Sequence, residues 1–428
     1  MGKFISLGEY NKLYKYIWIY IVIKFISSFV FDYELIFVES NVISDRPYSP
    51  FFYLQFNYFF FIIISTILIF IKKYSKNKES IQNLVGLQLI FNEPDIKNEY
   101  GVEQKDYFLF VNLFLVVVTD LLDEIIYKFK CSMLDYWMFE MLFFELLNSK
   151  ILKTKIYKHH IVSFIFILSS CSIIKTIDII LSFANNIPKV DIFENREWLI
   201  PLGVIVYLLF QVLKAYIFCN EKYYLEKRVI SISGYLLCYG LFGVISTFIC
   251  LIISTYVPCG DNTIPQLSKI ICSFEDNEEI YYFDSYILYF KELISENFGY
   301  RLILIISESI LYYASNYYIY VIYKKLSPIY HICMKRLGFL ILDILVFIND
   351  IKNKDEYEHI DLILSILNII LLFFYLFGSS VYLEFIELNF CNLNFNTRRK
   401  IRERAYGDLG ISLGDTSVNS ESISESNG

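Results

Sequence analysis

Long apolar segments alternate with shorter polar connections along most of this 428-residue chain. A helix that crosses a membrane needs about 20 mostly apolar residues. Lipid satisfies no free backbone group, so helices are the expected spans, because a barrel would show alternating polar and apolar positions. The pattern predicts an all-α polytopic membrane protein with ten transmembrane helices, at 12–31, 52–71, 107–127, 132–148, 159–183, 199–219, 231–257, 301–323, 329–349 and 358–386.

Positive charge in the polar connections predicts how these helices are oriented. Lys and Arg are concentrated in every second connection, beginning with the N-terminus, and short loops rich in these residues usually face the cytosol. The turn at 150–158 is the sharpest case, since its lysines have no acidic residue among them. The pattern predicts that both termini are cytosolic and that the long loop at 258–300 lies on the opposite face.

The amino-acid composition agrees with a membrane protein and limits the kinds of binding partner that we expect. The chain is 56% hydrophobic and 19% aromatic, with a mean hydropathy of +0.47, whereas soluble domains are about 45–50% apolar. The net charge of −7 is divided among loops of both signs. We expect a lipid bilayer and a small-molecule substrate as partners and no nucleic acid, since no basic block is interleaved with aromatic residues. No Walker motif is present, so direct ATP hydrolysis is not expected.

The C-terminal end differs from the rest of the chain. Residues 1–390 are expected to form the transmembrane domain, and 391–428 a basic juxtamembrane segment followed by a tail. Five basic residues at 398–404 are expected to anchor the chain to anionic lipid headgroups. From Gly407 onward, Gly, Ser, Asn, Asp and Glu dominate, which predicts a disordered cytosolic tail.

Cysteine and histidine spacing gives no metal signature. The nine Cys include no CxxC pair, and most of them fall in apolar segments, where packing is the expected role. Cys259 and Cys272 share the polar 258–300 loop and could form a disulfide if that loop is outside the cytosol. His159 and His160 have no Cys or carboxylate at ligand spacing, so we expect no metal, cofactor or catalytic site there.

Three stretches resemble the drug/metabolite transporter superfamily, in particular the F-type branch of solute carrier family 35. They are the helix, basic turn and helix at 143–168, the link at 220–245 and the entry to the ninth helix at 324–347. The chain departs from the family at substrate-facing positions. Residues 136–140 replace its Gln-Met-Leu-Arg-Gly-like run, and Tyr239 stands where the family often has Glu.

Ten spans with both ends cytosolic suggest a duplicated five-helix unit whose second copy is inverted, as in many secondary transporters. The halves would be 1–184 and 199–390. The resemblance implies a non-enzymatic carrier that moves a small organic solute, nucleotide-sugar-like or another metabolite, by alternating access. It implies an internal membrane such as that of the Golgi, ER, vacuole or lysosome. A scaffold or receptor that has lost transport stays open, as does a membrane-embedded transferase using His159 or His160 with a carboxylate.

Polar side chains inside apolar segments are costly and mark candidate functional positions. Asp123, Glu124 and Glu145 are acidic residues of this kind, beside the substrate-binding candidates named below. Glu140 and Glu145 are about 140° apart around a helix, so at most one should face a central cavity, and Glu140 is favoured. A carboxylate there could bind a proton or a cationic group. Gly240 and Gly243 are expected to serve helix packing. The substrate-binding candidates are Glu140, Asp120, Glu308, Asn316, Lys335, Arg336 and Asp343.

Overall fold

The computed structural model of the chain describes residues 15–27, 50–74, 107–128, 138–151, 156–184, 199–227, 231–256, 260–261, 274–276, 280–282, 284, 298–334, 359–386, 388 and 397. Each of the ten segments predicted from the sequence contains a helix within these ranges, so the helical class is confirmed. The helices are α1 at 15–27, α2 Pro50–Tyr74, α3 Tyr107–Lys128, α4 Met138–Ile151, α5 Lys158–Ala184, α6 Leu199–Lys227, α7 Ile232–Tyr256, α8 Phe298–Lys325, α9 at 328–334 and α10 His359–Tyr382.

Two helices of the described chain are long and apolar enough to cross a membrane by length and composition. They are α2, over Phe51–Ile71, and α7, over Ile232–Tyr256. This finding supports membrane association. Ten spans and an inverted repeat stay predictions.

Helices α2 and α7 pack together along their lengths because two glycines of α7 allow a close approach. A Cβ atom on Gly243 would lie 2.3 Å from Cγ of Tyr58, and one on Gly240 would lie 2.8 Å from the Tyr58 carbonyl oxygen. Any larger side chain at Gly243 would therefore displace the Tyr58 ring, which is fully buried. Small residues serve this purpose wherever two helix backbones must come close.

A second close pair consists of α5 and α10. The Ser163 hydroxyl donates a hydrogen bond to the carbonyl of Gly378, and a Cβ atom on Gly378 would lie 2.9 Å from Ile167 Cγ1. Helix α10 then ends in a backbone turn in which the amide of Phe385 donates to the carbonyl of Ser380. Glu384 takes the left-handed position of this turn, at φ 61°, where glycine is usual.

Helix α6 contributes side chains to both apolar cores, as α8 also does. Ala215 and Cys219 pack in a core that also contains parts of α1, α4, α5, α8, α9 and α10. Ile217 and Tyr224 pack in the other core, with parts of α2, α3, α7 and α8.

Three short strands in the 258–300 loop were not predicted. They are β1 Gly260–Asp261, β2 Phe274–Asp276 and β3 Ile280–Tyr282, and they pair antiparallel in the order β1-β3-β2. In register, Gly260 faces Tyr281 and Asp276 faces Ile280.

Just beyond β3, buried Asp284 accepts a hydrogen bond of 2.9 Å from the backbone amide of Phe51. This amide belongs to the first turn of α2, and a carboxylate there satisfies a free donor and complements the helix dipole.

Candidate functional site

Asp120 of α3 is held by two tyrosines from neighbouring helices. Its Oδ2 atom accepts a hydrogen bond of 2.6 Å from the Tyr58 hydroxyl of α2 and another from the Tyr239 hydroxyl of α7. Hydrogen bonds to a charged group are worth more than those between neutral groups. The close packing of α2 on α7 thus builds a binding place for one carboxylate.

Lys214 of α6 lies within electrostatic range of this carboxylate and was not among the candidates identified from the sequence. Its Nζ atom lies 2.5 Å from Oδ2 of Asp123 and 4.7 Å from the centre of the Phe210 ring, in a cation–π contact. The Asp123 side chain is 47% exposed and that of Lys214 is 16% exposed. A lysine inside an apolar segment is the same signal that identified the acidic candidates, so Lys214 could have been found from the sequence.

Glu140 of α4 is 2% exposed, and its Oε1 atom has no hydrogen-bond partner among the described residues. Helix α4 packs on α6, which brings the Glu140 carboxylate within electrostatic range of Lys214. Tyr20 of α1 and Tyr323 of α8 are also within its electrostatic range. Glu140 is thus buried where four helices meet.

Lys214, Asp120, Asp123 and Glu140 together form what we call the Lys214 cluster. Lys214 interacts electrostatically with all three carboxylates, so the cluster has two excess negative charges when every member is ionised. An uncompensated charge that is buried away from water is costly and is relieved by binding a proton or a cationic group. In the cluster this cost falls on Glu140, which is 2% exposed, far more than on Asp123, which is 47% exposed. The cluster therefore has the chemistry to take up a proton or a cation.

Glu145, the other acidic residue of α4, is also buried but has partners. Its Oε2 atom accepts a hydrogen bond of 3.3 Å from Asn148, and its carboxylate also bonds to Tyr382 of α10. The two acids of α4 thus differ in surroundings, and Glu145 is the natural comparison for Glu140.

A second polar network surrounds Glu221 near the end of α6. The Glu221 Oε1 atom accepts hydrogen bonds of 2.9 Å from the Tyr235 hydroxyl and 3.0 Å from the Tyr320 hydroxyl. Asn112 donates in turn to the Tyr235 oxygen, at 3.4 Å. In the sequence Glu221 contributes only to a family motif, so this tyrosine-bonded carboxylate, which links α6, α7 and α8, was not foreseen.

The other predicted site residues fall outside the Lys214 cluster or outside the described residues. The Asn316 amide donates to the carbonyl of Tyr312 within its own helix, at 2.9 Å. Glu308 is half-buried on the same helix. The side chain of Glu124 lies outside the description. Outside the described residues altogether lie Lys335, Arg336, Asp343, Cys259 and Cys272.

At the start of α5, the fold brings together residues that are far apart in the sequence. His159 Nε2 lies 3.5 Å from Oε1 of Glu384, which follows α10. Ligand atoms of His159, His160 and Glu384 all lie within 4.8 Å of one another. No carboxylate stands at ligand spacing from these histidines along the chain, but the antiparallel packing of α5 on α10 brings Glu384 next to them in space.

Comparison of the sequence with known protein families finds no family that matches, and no curated protein matches it. The resemblance to the drug/metabolite transporter superfamily therefore rests on its three motifs and stays a prediction.

Proposed function

We propose that this chain is a multi-pass secondary transporter that moves a small organic solute across an internal membrane by alternating access. The observation that carries the proposal is the Lys214 cluster, in which one lysine of an apolar helix pairs with Asp123 and lies within electrostatic range of Asp120 and Glu140. Ionisable side chains in such surroundings are rare, and in membrane proteins they mark ion, proton and substrate pathways. A purely structural bundle gains nothing from an uncompensated charge.

The outer surface of the helices supports a lipid environment. Large apolar side chains of several helices are widely exposed, for example Leu209 of α6 at 65% and Ile245 of α7 at 61%. Extensive exposed apolar surface is uncommon in soluble proteins and marks contact with a membrane or a partner. Polar groups such as Gln211 and Thr247 are buried instead.

Contacts near the helix ends support the proposed topology. Asp284 of the 258–300 loop bonds to Phe51 at the start of α2, and the charge pattern assigns both to the non-cytosolic face. On the other face, the Lys222 Nζ atom donates to the carbonyl of Leu326, at 3.2 Å. Both of these belong to connections with cytosolic charge. Each contact therefore joins chain segments that the proposed topology puts on one side of the membrane.

The pattern of helix contacts supports a 5+5 duplication. If α1–α5 correspond to α6–α10, then α2–α7 and α5–α10 are pairs of equivalent helices, and both pack closely. The contact of α3 with α7 has its equivalent in that of α8 with α2. The contact of α4 with α6 corresponds to that of α9 with α1, where His331 and Tyr20 form an edge-to-face ring contact. Matched contacts of this kind are expected when two copies of a five-helix unit are related by a pseudo-two-fold axis, as in transporters built from repeats.

Transport by purified protein in liposomes tests the proposal. A panel of nucleotide sugars, amino acids and small peptides is offered with and without an imposed pH gradient. For a solute that is taken up, we expect Glu140→Gln to lower the initial rate about tenfold or more, which corresponds to about 1.4 kcal/mol. Glu145→Gln is the matched control, since Glu145 has hydrogen-bond partners. Uptake at the wild-type rate by both variants would refute the role of Glu140.

A transferase is the second candidate function, because Glu384 supplies the carboxylate that a catalytic histidine would require. His159 is 2% exposed, however, which leaves it little access to a lipid or acyl substrate. Lipid turnover that is lost in His160→Ala would favour the enzyme over the carrier. Folded protein with neither uptake nor turnover would favour a scaffold or receptor.

A further inference from the structure

We propose that His159, His160 and Glu384 bind a divalent transition-metal ion, with Zn²⁺ as the best match. These residues offer two imidazole nitrogens and one carboxylate oxygen, all within 4.8 Å of one another. Zinc binds these atom types and is commonly held by three protein ligands and a water. The proposal does not depend on transport.

The first argument is the state of His159. The residue is 2% exposed, and neither ring nitrogen has a hydrogen-bond partner among the described residues. Buried polar atoms are normally hydrogen-bonded, and an exception needs an explanation such as an ion. The Glu384 carboxylate lies 3.5 Å from Nε2, too far for a good hydrogen bond, and a metal between the two atoms would bind both.

The second argument is distance. His159 Nε2 and Glu384 Oε1 lie 3.5 Å apart. Zinc–ligand bonds of about 2.0–2.1 Å at tetrahedral angles put neighbouring ligand atoms about 3.3–3.4 Å apart. The two atoms are thus already spaced as two corners of a zinc site. His160 completes the set, with its ring centre 4.2 Å from that of His159.

The third argument is the backbone of Glu384. This residue is at φ 61° in the turn that ends α10, where glycine is preferred because a Cβ atom is unfavourable. A glutamate in a left-handed position costs stability, and such positions persist where the surroundings or a function require them. Metal ligation is a function that would explain a carboxylate here.

The surrounding packing sets the shape of the site. Ser163 and Gly378 bring α5 and α10 into close contact about one turn along α5 from His159. The ring of His160 stacks on that of Tyr382, with centres 4.5 Å apart. Its Nδ1 atom accepts a long hydrogen bond of 3.4 Å from the Tyr157 amide, which a metal could replace at small cost. A bound ion would clamp the start of α5 to the end of α10.

Zinc binding by the full-length protein tests the proposal, in detergent and without a polyhistidine tag. We expect about one Zn²⁺ per chain after equilibrium dialysis and a zinc-dependent rise in the unfolding temperature. Mg²⁺ and Ca²⁺ should give neither, because they prefer all-oxygen sites. Removing a ligand should weaken zinc binding by more than the 10–100-fold seen on loss of an outer-shell partner.

Glu384→Gly is the most informative variant, since it removes a ligand and also relieves the left-handed backbone. Its zinc-free form should unfold at the wild-type temperature or above, while its zinc response disappears. His159→Ala should also lose zinc, and Asp123→Asn, in the Lys214 cluster, should keep it. Wild-type zinc binding by Glu384→Gly, or no zinc binding by the wild-type chain at micromolar concentration, would overturn the proposal.

Discussion

Replacing Gly243 by alanine should disturb both the α2–α7 contact and the support of Asp120. The new Cβ atom would lie within 2.3–2.5 Å of three atoms of the Tyr58 ring. Tyr58 is fully buried and donates to Asp120 through its hydroxyl. The ring cannot move away without losing this hydrogen bond, so one methyl group affects the packing and the charged site together.

The expected loss of stability follows from the disturbed packing and the lost hydrogen bond. Overpacking in a closely packed interior costs about 1–3 kcal/mol, and a hydrogen bond to a charged group contributes about 1.5–3 kcal/mol. Because the helices can relax partly, we expect Gly243→Ala to lower the free energy of unfolding by about 2–5 kcal/mol. Unfolding of the purified protein by SDS titration, followed by circular dichroism, measures this difference.

Gly299→Ala is the matched control, because a Cβ atom there would meet no atom of the described residues within 4 Å. Alanine is a better helix former than glycine, so this variant should be neutral or more stable by up to about 1 kcal/mol. Tyr58→Phe separates the two losses, since it keeps the ring and removes only the hydroxyl. Equal stability of Gly243→Ala and Gly299→Ala would refute the close approach of α2 and α7.

Two further predictions concern the loop at 258–300 and its side of the membrane. Asp284→Ala should destabilise the protein by about 0.5–2 kcal/mol, which is the usual loss for a helix cap. The same SDS titration measures this change, and an unchanged midpoint would contradict the contact with Phe51. Single cysteines can replace Asp276, Arg46 or Lys153 in a cysteine-free background and be labelled with an impermeant maleimide. Cysteines at Asp276 and Arg46 should react from one face of the membrane, and a cysteine at Lys153 from the other. Labelling of Lys153 and Asp276 from the same face would contradict the ten-span topology.

The positions of the helices could be predicted because they depend on local composition. A long apolar segment predicts a helix without any knowledge of its partners, and the described helices fall on all ten predicted segments. The strands at 260–282 were missed because two or three residues give no periodic signal. The capping of α2 by Asp284 was missed because it joins residues 233 positions apart.

The site was harder to predict than the fold, because a buried charge is defined by its partners. The sequence identified Asp120 and Glu140 by their apolar surroundings, but it did not reveal that both lie within electrostatic range of Lys214. Lys214 itself was overlooked, although the same criterion applies to it. Ten helices can pair in many ways, and nothing in the sequence says which of their faces meet.

Tyr239 shows how a departure from a resembled family can be interpreted once the contacts are known. The resemblance puts a glutamate at this position, which would add a fourth carboxylate beside Asp120, Asp123 and Glu140. The tyrosine instead donates its hydroxyl to Asp120. It thus stabilises an existing negative charge without adding another. If the chain is a carrier, its substrate-binding chemistry therefore differs from that family's at this position, so the solute has to be identified by transport measurements.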